Sequence, residues 1–298
     1  IKHKIFNYAL IYIHLIYQIR ETGKILLCNS CNARHAVHVR PYSGEKLCQS
    51  CFIKSFEKKV RKNISAYDML RSNDKIAIAL SGGKDSTVLL YLLSTLEKKF
   101  PKASLFAITV DEGIDRYRDE ALQNAEAVCR DLGVAHLIVS FKELFGLTVD
   151  DIAKQVTNKK EYGLTPCSYC GVLRRKALNK IAKKLKATKI ATAHNLDDET
   201  QTILLNFIHG DIFRASRITP TSGLQAGMFV QRIKPLCNMF ESEIALYAYY
   251  QKIKFQSVDC PYASTALRTE IREFLNKLED NHPSTKYIIY RSFEKIKP

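Results

Sequence analysis

Long apolar runs are missing from this chain. The most apolar stretch, Phe6–Ile19 (FNYALIYIHLIYQI), is broken by Asn7, His14 and Gln18. It is too short and too polar for a membrane span, and without a small-residue cleavage site it is a poor signal peptide. Gly/Ser linkers, low-complexity tracts and internal repeats are also absent, which excludes linker-tethered and repeat architectures. Acidic residues are under-represented: 30 Asp+Glu face 46 Lys+Arg, a net charge of +16. An excess of that size suggests a polyanionic partner, nucleic acid ahead of membrane. The bland alternative is a solvated lysine surface. With 298 residues, 46% hydrophobic and 26% charged, the composition is that of a globular chain able to bury a large core. Nothing suggests export, so the expected compartment is the cytoplasm, with no membrane partner. Residues 1–27 read as an extension or a mis-called start, since the chain begins with Ile1, and an amphipathic helix is the alternative.

The nine cysteines are an odd number, which in a chain of this kind favours metal binding or catalysis over disulfides. Cys28-Asn-Ser-Cys31 and Cys48-Gln-Ser-Cys51 are two knuckles with 16 residues between them. The spacing fits a zinc ribbon, in which each tight turn offers two thiolates to one tetrahedral Zn²⁺. Such a closed site is structural and implies no catalysis. Cys167-Ser-Tyr-Cys170 is a third pair without a fourth knuckle, lying between Gly163-Leu164-Thr165-Pro166 and a basic helical run, Val172–Leu185. Cys260, in Asp259-Cys260-Pro261-Tyr262, is a downstream candidate to join it. Three thiolates can hold a [4Fe–4S] cluster with one open iron. A redox pair at Cys167 and Cys170, or a persulfide on Cys167 or Cys260, are alternatives, as is a merely buried Cys260. Cys129 and Cys237 lie in apolar patterns and read as core.

Residues 75–87, KIAIALSGGKDST, carry an apolar run straight into a glycine turn and then a helix-like run. Backbone N–H groups and the helix dipole make such a junction an anion site. Gly82 and Gly83 allow close approach to a phosphate, Lys84 brings a charge, and Ser81, Ser86 and Thr87 bring hydroxyls. The loop is not a Walker A loop, because Ile78 stands where that motif needs glycine. Asp85 beside a phosphate cradle makes sense if it helps hold Mg²⁺. The string resembles the PP-loop of ATP pyrophosphatases, which cleave ATP between the α and β phosphates. An ordinary tight turn is the alternative.

Apolar spacing at Phe56, Val60, Ile64, Tyr67 and Leu70 predicts a helix after the knuckles. Strands are then expected at Lys75–Leu80, Ser104–Val110, His136–Ser140 and Lys189–Ala193. Helices are expected near Asp85–Leu96, Tyr117–Leu132, Val149–Val156, Tyr169–Leu185 and Asp197–His209. This alternation predicts an α/β, doubly wound parallel sheet, with ligands outside the carboxyl ends of the strands. After Thr219 come a Gly-containing loop, a strand near Phe229–Ile233 and helices near Glu241–Tyr250 and Ala266–Glu279. The domain boundaries follow: ribbon at 28–54, linking helix at 55–74, catalytic domain at 75–220, and a helical part at 221–298 that completes the active site.

Ala191-Thr192-Ala193-His194-Asn195-Leu196-Asp197-Asp198-Glu199-Thr200 ends a strand and opens a helix. Acids there are often caps, but Asp197, Asp198 and Glu199 together exceed what a cap needs. One of them can bind Mg²⁺ or act as a general base. Asp111-Glu112-Gly113-Ile114 is placed to border a nucleotide. Arg174 and Arg175, one turn after Cys170, are placed to reach phosphate, or else form a solvated basic face.

In one order, the paired knuckles, SGGKDST, DEGIDRYRDEAL, PCSYCGVLRRKAL, TAHNLDDETQT, KPL and DCPYA resemble the tRNA 2-thiolation family of PP-loop ATP pyrophosphatases, archaeal and eukaryotic type. The resemblance runs from about Cys28 to about Arg291. It implies ATP bound by Ala79, Ser81, Gly82, Gly83, Lys84, Asp85, Ser86, Thr87, Val110 and Ala193, with Mg²⁺. It implies a [4Fe–4S] cluster on Cys167, Cys170 and Cys260, or persulfide chemistry at Cys167 and Cys260. Lys84, Arg174 and Asp198 complete the implied catalytic set. Arg174 stands where T-loop enzymes carry lysine and wobble-type enzymes arginine, which favours the wobble uridine, although PCSYCG and CPYA are spelled as in the T-loop type. Relatives carry two further C-x-x-C knuckles near the C-terminus; without them after Lys295, the expectation is a lost second zinc site or a truncated sequence.

The implied reaction adenylates uracil O2 of tRNA, releases pyrophosphate, and replaces the oxygen with sulfur. A ubiquitin-like sulfur carrier with a C-terminal thiocarboxylate, or inorganic sulfide, is the implied donor, and a homodimer or heterodimer the implied assembly. The rivals are another PP-loop enzyme (cytidine thiolation or amide formation) and a non-enzymatic zinc-ribbon RNA-binding protein. The absence of a glutaminase-like domain counts against self-contained amide synthesis. Intact Lys84, Asp85 and Asp198 count against a degenerate ATP site.

Overall fold

The computed structural model describes residues 26–115, 117–158, 165–222, 228–256, 260–262 and 266–296. Residues 1–25, Gly163 and Leu164, the glycines expected in the loop after Thr219, and Asp259 and Ala263 of the DCPYA motif lie outside them.

Two short antiparallel strands, β1 (His38–Val39) and β2 (Lys46–Leu47), form the ribbon hairpin. Helix α1 (Gln49–Ala66) follows and takes in Cys51 in its first turn. It therefore spans the boundary drawn at residue 54. The predicted apolar face is there, with Phe52, Phe56 and Val60 buried. The helix stops short of the periodic pattern, however. Tyr67 is its C-cap and Asp68 takes a left-handed φ of +44°, so Tyr67 and Leu70 pack on the core from outside the helix.

The main sheet is built of β3 (Lys75–Ala79), β4 (Ser104–Asp111), β5 (Ala135–Ser140), β6 (Lys189–Ala191) and β7 (Gln231–Ile233). Every pair is parallel, and the spatial order is β5-β4-β3-β6-β7. The doubly wound class expected from the alternation is the fold. Ile76, Ile78 and Leu80 enter one core layer, while Ala77 and Ala79 face the other. Helices cover both faces: α2 (Lys84–Glu97), α3 (Arg118–Leu132), α4 (Phe141–Phe145), α5 (Val149–Asn158), α6 (Pro166–Lys184), α7 (Leu196–Ile208) and α8 (Ile212–Ser216). The chain ends with α9 (Glu241–Tyr250), α10 (Ala266–Asn281) and α11 (Thr285–Ile296).

Strand order reverses between β3 and β6. Ligands of such sheets bind at that switch, outside the carboxyl ends. The loop Leu80–Gly83 leaves β3 there, and Thr192–Asn195 leaves β6 beside it. Pattern reading did not anticipate α4, α8 or α11. The first two are five-residue pieces. Helix α11 lies after Pro283 and buries Lys286, Tyr290 and Phe293 against the body of the protein. Strand β7 is shorter than expected, and Phe229 is half exposed before it. Among the described residues, no helix is long and apolar enough to cross a membrane.

Candidate functional site

The loop after β3 is shaped by one glycine. Gly82 takes φ +81°, and a Cβ there would stand 2.4 Å from the carbonyl oxygen of Ala121 in α3. Only glycine permits both the conformation and the approach. The hydroxyls fix the turn. Ser81 N–H donates to Ser86 Oγ at 3.1 Å, and Ser86 Oγ and Thr87 Oγ1 donate to the Gly83 carbonyl at 3.0 and 2.9 Å. Gln256 braces the outer side, its N–H donating to the Gly82 carbonyl at 3.0 Å. Gly83 then caps α2, whose first residues are Lys84 and Asp85. Lys84 Nζ lies 2.9 Å from Glu241 Oε1 at the start of α9. Ala79 ends β3 half-buried, Val110 is buried near the end of β4, and Ala193 follows β6.

The three acids after β6 have separate fates. Asp197 is structural: Oδ2 accepts from Glu241 N–H at 2.8 Å and Oδ1 from Lys286 Nζ at 2.5 Å. Glu199 is held by Lys234 Nζ at 2.8 Å to both oxygens. Asp198 forms a capping box with Asn195, and among the described residues its ion-pair partner is Arg268, 3.9 Å away. Burial, and then the charge of Asp85, push its carboxyl up to about 7. Asp85 is pushed up to about 6, chiefly by burial, and its Oδ1 has no hydrogen-bond partner. Two carboxyls held above the usual carboxylate range, the charge of Asp85 raising Asp198, beside an anion cradle have the chemistry of a divalent-cation site.

Helix α6 begins at Pro166, so Cys167 and Cys170 stand one turn apart in its first turns. Cys167 Sγ donates to the Tyr262 carbonyl at 2.7 Å, which brings the Cys260–Tyr262 segment onto α6. Tyr262 is anchored in turn through its hydroxyl to Asp150 at 2.8 Å. Cys170, Cys260 and Tyr262 share one apolar cluster with Ile114. Burial pushes the thiols of Cys167 and Cys170 up, and the Arg174 guanidinium pulls them the other way. Arg174 Nη2 donates to Cys170 Sγ at 3.4 Å and pairs with Glu112 Oε1 at 2.7 Å. Glu112 Oε2 pairs with Arg118 Nε at 2.9 Å. Arg118 then donates to the Ser81 carbonyl at 3.2 Å and the Val110 carbonyl at 2.9 Å. A continuous chain of charge thus joins the cysteine helix to the phosphate loop. Arg118 was not foreseen, although it lies within the DEGIDRYRDEAL string; no sequence pattern identifies Glu241 or Lys286.

The four knuckle cysteines, Cys28, Cys31, Cys48 and Cys51, bring their sulfurs within 4.8 Å of one another. Cys31 and Cys48 are 3.9 Å apart, close to the ~3.8 Å edge of a tetrahedron with bonds of ~2.3 Å to zinc. This donor set fits one Zn²⁺. Among the described residues no other group of acids, thiols or imidazoles closes so tightly. Cys167, Cys170 and Cys260 do not close within the same distance. Cys129 and Cys237 are buried, and burial pushes both thiols up to about 11, as expected of core residues.

Comparison with known proteins agrees with this geometry. A family model for the PP-loop domain matches residues 53–279. The cytoplasmic tRNA 2-thiolation protein 1 of Oryza sativa subsp. japonica is 40% identical over 272 residues, covering 91% of this chain and 73% of that protein. The tRNA 2-thiolation protein NcsA of Haloferax volcanii is 38% identical over 281 residues, covering 90% and 86%. Among solved structures, the U34-tRNA thiolase NcsA from Methanococcus maripaludis, with its [4Fe–4S] cluster, superposes with a TM-score of 0.81 at 37% identity, covering 91% of this chain and 86% of that one.

Proposed function

Because the chain belongs to the PP-loop family of tRNA 2-thiolation proteins, we propose that it is an ATP-dependent tRNA sulfurtransferase acting on uracil O2. The observation that carries this reading is the chain Cys170–Arg174–Glu112–Arg118–Ser81, which ties a thiol group to a phosphate loop in one crevice.

ATP phosphates rest on Ser81–Thr87, with Lys84 leaving Glu241 to meet them. Asp85 and Asp198 would hold Mg²⁺, whose charge would offset the repulsion of the carboxylates and the phosphates. The uracil oxygen attacks the α phosphate and pyrophosphate departs. The oxygen, now part of an AMP ester, is a good leaving group. Sulfide adds at C2, AMP leaves, and 2-thiouridine remains. A [4Fe–4S] cluster held by Cys167, Cys170 and Cys260 would supply an open iron for sulfide. Arg174 positions Cys170 and sets positive charge beside the reacting centre. Ala79, Val110 and Ala193 border the nucleotide. Cys28, Cys31, Cys48 and Cys51 hold a structural Zn²⁺.

The wobble uridine is the favoured target: Arg174 matches that type, and the solved relative is a U34 thiolase. A thiocarboxylated carrier or free sulfide is the sulfur source. We infer that it works in the cytoplasm, a reading that the naming of the curated relatives supports. The test incubates protein, unmodified tRNA, ATP and sulfide without oxygen and measures nucleosides by mass spectrometry. ATP-dependent 2-thiouridine is expected. Its absence, with ATP bound and the cluster loaded, overturns the function.

A further inference from the structure

We propose that Arg175 and Arg232 form a clamp for one backbone phosphate of the RNA strand, at the rim of the active-site crevice. The inference rests on the tRNA-modifying reading above and names two residues that carry part of it.

Arg175 follows Arg174 on α6 and lies one turn before Asn179, so the two share a helix face. Asn179 stitches that face to the approach of β7. Its Oδ1 accepts from Val230 N–H at 2.9 Å, and its Nδ2 donates to the Met228 carbonyl at 3.3 Å. Val230, just before β7, packs on the apolar cluster that holds Leu178 and Ile181 of α6, and Arg232, two residues further along the extended chain, faces the same way. Arg232 therefore stands on the neighbouring element, on the side that meets Arg175. Its backbone is pinned, with Arg232 N–H donating to Ser222 Oγ at 2.8 Å and its Cα paired with Ile190 of β6.

Several arginines around the crevice and the ribbon have anions. Arg40 has Glu243 and Glu45, Arg118 and Arg174 share Glu112, and Arg214 has Asp211. Among the described residues, neither Arg175 nor Arg232 has a side-chain hydrogen bond or ion pair. Other guanidiniums lie close to both. Burial and the charges of Arg174 and Arg214 hold Arg175 below the usual arginine range, and burial and Arg175 do the same to Arg232. The nearby His194 is kept neutral by its place in the cleft and by Lys234, Arg232, Arg268 and Arg175. The charge of Arg175 lowers Arg232 against the opposing charge of Glu199, and a bound anion would relieve the repulsion between the two guanidiniums.

A phosphodiester is the anion that fits. Its two free oxygens match the planar guanidinium fork. The phosphates of ATP already have the Ser81–Thr87 cradle. The clamp lies instead where a polynucleotide would cross the rim: Arg175 adjoins Arg174, and Arg268 of the same cationic ring faces Asp198. A phosphate gripped there orients the strand whose base enters the crevice.

The test titrates fluorescent, unmodified tRNA into the full-length protein at several salt concentrations. In the Arg175→Ala/Arg232→Ala double variant, tRNA affinity should fall about tenfold or more, and the salt slope should become shallower by about one. ATP binding and zinc content should match wild type, which controls for folding. The double Lys variant should keep the salt slope but recover only part of the affinity. A double Ala variant that binds ATP, with wild-type tRNA affinity and slope, overturns the clamp while leaving the sulfurtransferase reading intact. A wild-type protein that binds no tRNA overturns both. If the variant loses only the binding of a thiocarboxylated carrier, the pair belongs to a protein interface and the clamp is wrong.

Discussion

Glu112 and Arg118 are a buried ion pair, 2.9 Å apart with side chains 4% and 7% exposed, standing between the phosphate loop and the cysteine helix. Glu112 also neutralises Arg174, so one carboxylate serves two guanidiniums that reach opposite sides of the crevice. Replacing a single partner of a buried pair leaves an uncompensated charge, at a cost on the order of 3 kcal/mol. Glu112→Gln is therefore expected to lower the melting temperature and to weaken ATP binding and cluster absorbance together. Calorimetry, nucleotide titration and visible spectroscopy read the three effects. Loss at one side of the crevice only would show that the chain does not couple them.

Gly82→Ala places a methyl group against the Ala121 carbonyl and asks alanine to hold φ +81°. The expected cost is roughly 1–3 kcal/mol or more, with ATP affinity lost first because the loop must shift. Equilibrium unfolding and nucleotide titration check this. A variant binding ATP as wild type does would mean that the loop tolerates the shift.

The pH dependence follows from Asp85 and Asp198, raised to about 6 and about 7. A carboxyl raised on folding stabilises the protein fully below the unfolded value, near 4, and loses that contribution as pH rises through the folded value. The nucleotide-free protein should thus lose stability between about pH 4 and about pH 7, and Mg²⁺ should restore it at the upper end. Activity should rise over the same upper range, as the carboxylates ionise to take the metal. Asp198→Asn should flatten the stability profile and abolish thiouridine formation while ATP still binds. Melting curves across pH, with and without Mg²⁺, read the effect; a profile that keeps its slope in the Asn variant assigns it to other groups.

Cys260→Ala should remove the visible iron–sulfur absorbance of the anaerobically reconstituted protein, because only two thiols would remain on α6. An unchanged spectrum would exclude the three-cysteine assignment.

Chelation should release one zinc per chain, and Cys28→Ser should do the same. Cys28 is fully buried in the main core cluster, so the loss should lower the melting temperature of the whole protein rather than of a detached module. Metal analysis finding no zinc in the native protein would refute this.

Much of this was legible in the order of residues. The SGGKDST string marks a strand, a loop and a helix because glycine, lysine and hydroxyl residues have few other reasons to meet there. The knuckle spacing marks a ribbon because tetrahedral sulfur ligation restricts it. Periodicity gave the central strands and the long helices other than α11. It failed for the five-residue helices α4 and α8, which are too short to show a period, and it overran α1, where Asp68 breaks the helix by its backbone alone. The three acids after β6 looked equivalent in sequence. Only packing separates them, because Lys286 and Lys234 arrive from distant segments to claim Asp197 and Glu199. The pairing of Glu112 with two arginines was equally invisible, since nothing local fixes which acid a guanidinium will find.

Helix α9 carries Glu241 toward Lys84 and, half a turn on, Glu243 toward the ribbon, where Arg40 and Lys59 meet it at 2.6 and 2.9 Å. The ribbon is thus not an interchangeable attachment. Grafting a different metal-binding head onto this body, or passing this head to another body by recombination, would strand a buried carboxylate two residues from the one that holds Lys84. Only head and helix inherited together would give a working hybrid.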